Sequence, residues 1–340
     1  MSRRRAFGGW TAILLLFAVL LLVRQQGGVS DVTTVSAPDG HGRVGVYLTS
    51  FAMTKESLLD TVLDALDQGL IDTFVINVKN MHGEVTYESS VALAESVGAN
   101  TGRLDLAPLL ADLKARGAYL IARHVLFYDP LLARHLGYED NWIPASDPTA
   151  VAYNLSIAEE VAGLGFDEIQ FDYIRYADGG ELVAAYDDRY DAVTAFLEQA
   201  DVRLSGRVLL SADVFGRVLW AWNERLIDPI GQSLERMSPL LDFISPMLYP
   251  SHYAELSYQH NPYLVISDAL SSGRRRTGIS FRPYLQAFDQ AVPSSMSLET
   301  YILEQVRAAV DAGADGYLFW HPACEYGPLF NALSRFAATK

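Results

Sequence analysis

The residues best suited to chemistry lie in a short alternating segment near the middle of the chain, Glu168–Ile174. Apolar Ile169 and Phe171 alternate there with polar side chains, among them the carboxylate of Asp172, which is typical of a β-strand with one polar face. A strand buried on both sides normally carries a continuous apolar run, so polar groups persist on it when they are hydrogen-bonded or reactive. Parallel α/β folds bind ligands at the carboxyl ends of their strands, which makes Asp172 the first catalytic candidate.

A second carboxylate, Asp213, stands near the end of the next apolar segment. Neighbouring strands lie about 4.8 Å apart, so Asp172 and Asp213 at similar heights could approach the roughly 5–5.5 Å spacing of retaining glycosidases. Asp172 would act as nucleophile or base, and Asp213, with a raised pKa, would protonate the leaving oxygen. The alternative is a structural network in which both carboxylates pair with Lys79 and Arg123, cations that would keep Asp172 ionised.

The other strand ends carry side chains suited to binding a polyol. Period two puts Arg123 and His124 on opposite faces, so only one of them can face the interior. For Glu168, deeper in its strand, a structural pair with a residue at the floor is the preferred interpretation. The predicted substrate-binding residues are Lys79, Arg123, Gln170, Tyr249, His252, Gln286 and Trp320. No spacing of cysteine, histidine or carboxylate suggests a metal site, and no cofactor motif is present, so we expect neither group.

The elements that must position these residues repeat as an apolar run, a loop, an amphipathic helix and a glycine. Thr54, Asp147 before Pro148, and Ser297 are predicted to begin helices. Eight strands alternating with helices predict a (β/α)₈ TIM barrel. An open doubly wound sheet is the second choice, since a glycine-rich turn is missing after the first strand. The predicted strands are Val44–Thr49, Thr73–Lys79, Tyr119–Phe127, Glu168–Ile174, Val208–Phe215, Phe243–Tyr249, Arg282–Phe288 and Gly316–His321.

The amino terminus has the pattern of an export signal. Three arginines, residues 3–5, precede a charge-free run from Ala6 to Val23, which predicts a signal anchor or a signal peptide over residues 1–24. We favour an anchor, with the arginines inside and the remainder exported and facing the extracytoplasmic side, or secreted if the signal is cleaved. Residues 25–42 are rich in small polar residues and predict a flexible linker, followed by the barrel domain over residues 43–340.

Composition narrows the possible partners. The formal net charge of −15 argues against nucleic acid as a partner. A single cysteine, Cys324, excludes an intrachain disulfide. The sequence leaves the oligomeric state open.

Motifs shared with one known family lie in residues 45–47, 76–80, 121–123, 165–175, 211–216, 244–253 and 282–286. These segments resemble a bacterial family of glycoside hydrolases, first catalogued as a domain of unknown function, DUF4015. The resemblance implies a TIM barrel related to the α-amylase-like glycosidases, with Asp172 at the place of their fourth-strand aspartate. This sequence departs from the pattern at Asn77 and Asn80, where an aspartate is common, and at Asp213, where the α-amylase-like enzymes have a glutamate as acid.

The sequence therefore predicts a glycoside hydrolase that acts on a cell-envelope or extracellular polysaccharide, held at the membrane by its amino-terminal helix. The alternative is a carbohydrate-binding barrel that has lost catalysis and serves as an envelope scaffold, which the asparagines at 77 and 80 favour.

Overall fold

A computed structural model describes residues 39–179 and 186–337. The predicted anchor, residues 1–24, and most of the predicted linker, residues 25–42, lie outside these ranges. Across the two described ranges, none of the helices combines the length and apolar character needed to cross a bilayer.

A closed ring of parallel strands forms the centre of the fold. β5 pairs with both β4 and β6, so the sheet has no free edge between the fifth and sixth strands. β7 and β8 both pair with β6 and together fill the seventh position, which gives eight positions and confirms the (β/α)₈ barrel. The strands are β1 Val44–Leu48, β2 Thr73–Lys79, β3 Tyr119–Val125, β4 Glu168–Asp172, β5 Leu209–Phe215, β6 Phe243–Met247, β7 Ser280–Phe281, β8 Tyr284–Gln286 and β9 Tyr317–Trp320.

The seventh strand is shorter than predicted and divided. Pro283 follows Arg282 between β7 and β8 and has no N–H to give to a neighbouring strand. Its carbonyl still accepts from the N–H of Leu318, 2.9 Å away, so the chain stays in the ring.

Helices surround the strands and begin largely where the capping residues predict. Asp147 accepts from the N–H groups of Thr149 and Ala150, each at 2.9 Å, and Ser297 accepts from Thr300 N–H at 3.2 Å. The prediction for Thr54 was wrong, because Thr54 ends one short helix and the next begins at Glu56. The α-helices are α1 Ser50–Thr54, α2 Glu56–Asp67, α3 Ala92–Ser96, α4 Leu106–Ala115, α5 Pro130–Leu136, α6 Pro148–Ala162, α7 Asp187–Leu204, α8 Leu234–Met237, α9 Leu256–His260, α10 Pro262–Arg274, α11 Leu298–Asp311 and α12 Gly327–Ala337.

The floor of the barrel contains a fully buried ion pair. Arg282 Nη1 donates to Glu168 Oε2 at 2.8 Å, and both side chains are 0% exposed. Tyr119 and Ser211 donate their hydroxyls to the two oxygens of Glu168. The expectation that Glu168 pairs with a floor residue is confirmed, and the pair is too deep to meet a ligand.

Residues just before β1 complete this floor. Gly40 is buried, and its carbonyl accepts from Arg282 Nη2 at 2.8 Å. A Cβ at position 40 would lie 2.9 Å from side-chain atoms of both Leu209 and Phe243, so a larger residue here would force those side chains to shift. Residues 39–42 are the described part of the predicted linker, residues 25–42, and they contact the barrel, where Gly42 N–H donates to Asp315 Oδ1 at 2.7 Å.

A second interior layer lies above the floor. Gln170 donates to Ser245 Oγ at 3.1 Å and accepts from the hydroxyl of Tyr284 at 2.6 Å. All three residues are buried, and the polar face predicted for β4 is thereby satisfied within the barrel.

Candidate active site

A cavity of about 880 Å³ opens at the carboxyl ends of the strands, where ligands bind in this fold. Asp172 and Asp213 both line it, together with side chains from most of the strands. The volume is within the range of small-molecule and sugar sites. The other lining residues used below are Tyr47, Asn77, Glu84, Arg103, Arg123, Tyr173, Arg175, Phe215, Tyr249, His252 and Trp320.

Asp172, the last residue of β4, is held as a charged group. Arg123 donates to its Oδ2 through Nε at 3.0 Å and also through Nη2, and Tyr173 N–H donates to Oδ1 at 2.6 Å. Asp172 is 6% exposed, so this charge is stabilised by hydrogen bonds more than by water. Arg123 is the one of the two neighbouring β3 residues that faces the interior.

Asp213 on β5 lies in a different environment. It is 2% exposed, and its Oδ1 has no hydrogen-bond partner among the described residues. Burial, first, and then the charge of Asp172 raise the pKa of Asp213 well above its usual value, although Arg123 acts in the opposite direction.

The two carboxylates lie close enough to act on one bond. Arg123 Nε is 3.0 Å from Oδ2 of Asp172 and 4.0 Å from Oδ2 of Asp213, so the sum of these distances, about 7 Å, is the upper limit on the separation of the two oxygens. This limit lies below the largest separation, about 9.5 Å, that two-carboxylate glycosidases use.

A chain of hydrogen bonds holds Arg123 from the far side. Arg123 Nη1 donates to Asn77 Oδ1 at 2.7 Å, and Asn77 Nδ2 donates to the hydroxyl of Tyr47 at 2.8 Å. The guanidinium of Arg123 also lies 5.2 Å from the centre of the Tyr47 ring. Because Asn77 is neutral, it does not compete with Asp172 for the charge of Arg123.

Aromatic rings form one wall of the cavity. Tyr249 lies 5.5 Å from Trp320 and 5.2 Å from His252, measured between ring centres. Phe288 packs edge-on against Trp320 behind them, at 5.2 Å. Burial lowers the pKa of His252, so this wall is neutral at pH 7. Such a surface suits the apolar face of a sugar ring.

Three of the predicted binding residues do not line the cavity. Lys79 is 0% exposed, and its Nζ lies 2.8 Å from Asp129, which caps α5, and 3.2 Å from Asn154 Oδ1 on α6. The idea that Lys79 keeps Asp172 ionised must be corrected. The β2–β3 register shifts between Asn77 and Lys79, and this bulge breaks the period-two pattern on which the idea depended.

Gln170 and Gln286 support the site without reaching it. Gln170 lies in the layer below, between Ser245 and Tyr284. Gln286 is also buried, and its Oε1 accepts from Ser251 N–H at 3.1 Å. It therefore orients the turn that carries His252, and it is a positioning residue.

Sequence reasoning overlooked Tyr47 and Arg175, which line the cavity. Tyr47 stands near the end of β1, and the same strand-end criterion that selected the other residues could have selected it. Arg175 follows Tyr173, whose φ of 52° turns the chain out of the strand, and no sequence periodicity predicts the direction of its side chain.

No group of three or more histidine, cysteine or carboxylate side chains that could hold a metal ion occurs in the part of the chain that the structure describes. What the described residues do provide is an aspartate paired with an arginine, a second, buried aspartate whose pKa is raised, and an aromatic wall in one cavity. Fold and site together define a barrel of the glycosidase type.

The family comparison agrees with this class. A model of the family described as "Putative glycosyl hydrolase domain" (DUF4015) matches residues 45–326, most of the chain, so the protein belongs to this family. No curated protein matches the chain in sequence.

Solved structures with similar folds include several polysaccharide-active enzymes. The glycoside hydrolase domain of PgaB (BpsB) from Bordetella bronchiseptica is 15% identical, with 86% of this chain and 98% of that one covered and a TM-score of 0.61. The endo-β-1,4-mannanase from Thermotoga petrophila is 13% identical, with 88% and 77% covered and a TM-score of 0.58. The spore cortex-lytic enzyme SleL from Bacillus cereus is 13% identical, with 87% and 75% covered and a TM-score of 0.55. At sequence identities this low, the similarity shows that these proteins share the fold of this chain.

Proposed function

We propose that this protein is a glycoside hydrolase acting on a cell-envelope or extracellular polysaccharide, with Asp213 as general acid and Asp172 as nucleophile or base. The observation that carries the proposal is the unequal pairing of the two carboxylates. Asp172 is ion-paired with Arg123, whereas Asp213 is buried with an unpaired oxygen and a raised pKa. Cleavage of a glycosidic bond requires two carboxyl groups, one protonated and the other ionised.

In this reaction Asp213 would give its proton to the glycosidic oxygen as the bond to the anomeric carbon breaks. Asp172 would then attack the anomeric carbon or deprotonate a water that does so. Tyr249 and Trp320 would stack against the sugar ring and hold it above the carboxylates. The uncharged aromatic wall and the neutral His252 suit a sugar, whose ring faces are apolar.

Export of the barrel domain would depend on the amino-terminal segment. The arginines at 3–5 and the apolar run that follows support export with the barrel on the extracytoplasmic side. Fusing residues 1–42 to a periplasm-dependent phosphatase tests this. Phosphatase activity is expected, and its absence would contradict export.

The catalytic test is the release of reducing ends from a panel of polysaccharides, including mannan, chitin and peptidoglycan. Asp172→Asn and Asp213→Asn should each lower the rate by roughly 10³-fold or more. Dinitrophenyl glycosides, whose leaving group needs no proton, should be cleaved by Asp213→Asn nearly as well as by the wild type. Unchanged turnover in Asp172→Asn would remove it from catalysis.

A barrel that binds glycan without cleaving it is the second candidate. The observation that favours it is the use of both Asp172 oxygens by Arg123 and Tyr173, which weakens the carboxylate as a nucleophile. Saturable binding of a polysaccharide that the wild type never hydrolyses would support this candidate over the first.

A further inference from the structure

Arg175 occupies an unusual position in the cavity wall. Its guanidinium carbon lies 4.4 Å from the ring centre of Phe215, 4.6 Å from that of Trp142 and 5.0 Å from that of Tyr173. Its Nη1 donates to the carbonyl of Tyr176 at 2.9 Å. Aromatic faces therefore replace much of the water that would normally surround this cation.

The neighbouring arginines all have carboxylate partners. Arg123 pairs with Asp172, and Arg103 lies 3.5 Å from Glu84. Arg217, which contacts the same Phe215 ring, pairs with Asp178 at 2.7 Å and Asp228 at 2.8 Å. Within the described ranges, Arg175 has no carboxylate within 4.0 Å.

This difference has an energetic consequence. Burial lowers the pKa of Arg175, and the more distant charge of Asp172 offsets that effect in part. A partly buried cation without a carboxylate partner is destabilising, and an anion that enters the cavity would offset that cost. The planar guanidinium offers N–H pairs that match a carboxylate.

We propose that Arg175 forms an anion-binding subsite next to the catalytic pair, so that the polysaccharide recognised here carries carboxylate groups, as uronic-acid polymers do. The inference rests on the proposed function, because it concerns the same cavity. A singly charged carboxylate fits better than a phosphate monoester, which carries about 1.5 to 2 charges and would meet the ionised Asp172. The overall charge of −15 gives the protein no general attraction for polyanions, which leaves the local cation as the means of selection.

The test measures binding of the intact protein by affinity electrophoresis and calorimetry. The probes are polygalacturonate and alginate, each as the native polymer and after reduction of its carboxyl groups to alcohols. Mannan serves as a neutral polymer and dextran sulfate as a densely charged one. We expect binding to weaken at least about tenfold on carboxyl reduction, because the charge-assisted contact with Arg175 is lost.

The matched variants are Arg175→Gln and Arg307→Gln, which change the net charge equally. Arg307 is an exposed helix residue paired with Glu304, remote from the cavity lining. Arg175→Gln should bind the native acidic polymers at least about tenfold more weakly and the reduced polymers as the wild type does. Arg307→Gln should match the wild type on all polymers.

Equal binding of native and reduced polymers by the wild type would overturn the inference, as would preference for dextran sulfate or wild-type affinity in Arg175→Gln. Arg175→Lys, which keeps the charge, covers the case in which the glutamine variant does not fold; it should retain selectivity for acidic polymers. Hydrolysis of each polymer is measured separately from binding. Binding of acidic polymers without cleavage would contradict the proposed hydrolase activity but support the anion-binding subsite. Cleavage of neutral polymers alone would support the hydrolase activity and contradict the subsite.

Discussion

Arg123 donates both its Nε and its Nη2 to the same oxygen of Asp172. One guanidinium thus serves one carboxylate, and the neighbouring Asp213 stays 4.0 Å from Nε, outside hydrogen-bond distance. This asymmetry gives two chemically identical side chains on adjacent strands different environments: Asp172 is paired with a cation, and Asp213 is buried with a raised pKa. The first two predictions follow from it.

The two aspartates should differ in their effects on stability. Asp172→Asn leaves the buried Arg123 without its anion and should lower the free energy of unfolding by about 3 kcal/mol. Asp213→Asn replaces a buried, protonated acid by a neutral amide of the same shape, so its stability at pH 7 should equal or exceed that of the wild type. Urea denaturation of both variants checks this. A larger loss in Asp213→Asn than in Asp172→Asn would contradict the assigned charges.

Asp213 should make stability depend on pH. Its folded pKa is raised above the unfolded value, so between the two values the folded state binds more protons. The contribution to stability is present in full below the unfolded pKa, about 3.9, and is lost as pH rises toward the folded pKa. The difference in unfolding free energy between wild type and Asp213→Asn, measured across pH, should therefore fall with rising pH. The same ionisation should produce the alkaline limb of the pH profile of kcat/KM. A difference in unfolding free energy that does not change with pH would argue against a protonated Asp213.

The floor ion pair should govern stability and not activity. Arg282→Met leaves Glu168 charged and buried and should cost roughly 3–5 kcal/mol. Adding Glu168→Gln should recover part of that loss, since the unpaired charge is gone. Chemical denaturation of the single and double variants gives the coupling energy, and activity per folded molecule should stay at the wild-type level. Additive effects of the two substitutions would mean that the pair does not act as a unit.

Trp320 should contribute to substrate binding through its ring. Trp320→Ala should raise KM by roughly tenfold, while Trp320→Phe retains most of the affinity, because stacking needs an aromatic face. Trp220 is a matched control, since it stacks on Tyr258 with ring centres 6.1 Å apart and is not among the cavity-lining residues. Steady-state kinetics on the polysaccharide that is cleaved fastest gives KM for each variant. Equal KM changes at both tryptophans would show a general effect on folding instead.

The sequence was sufficient for the ring of strands and for the two aspartates, because strand-end position depends only on local periodicity. It was insufficient for Lys79, because a bulge after Asn77 turns that side chain to the helix side. It was also insufficient for Gln170 and Gln286, since periodicity assigns a face and not a depth within the barrel. The direction of the Arg175 side chain depends on the left-handed backbone conformation of Tyr173, which is rare for residues other than glycine.

The buried position of Gly40 determines where the domain can be cut. A protein that started at β1 would lose the carbonyl that Arg282 contacts and would admit water to the Glu168 charge from below. A domain boundary drawn at the first strand would thus remove part of the floor of the barrel. The shortest version suited to expression begins no later than Asp39.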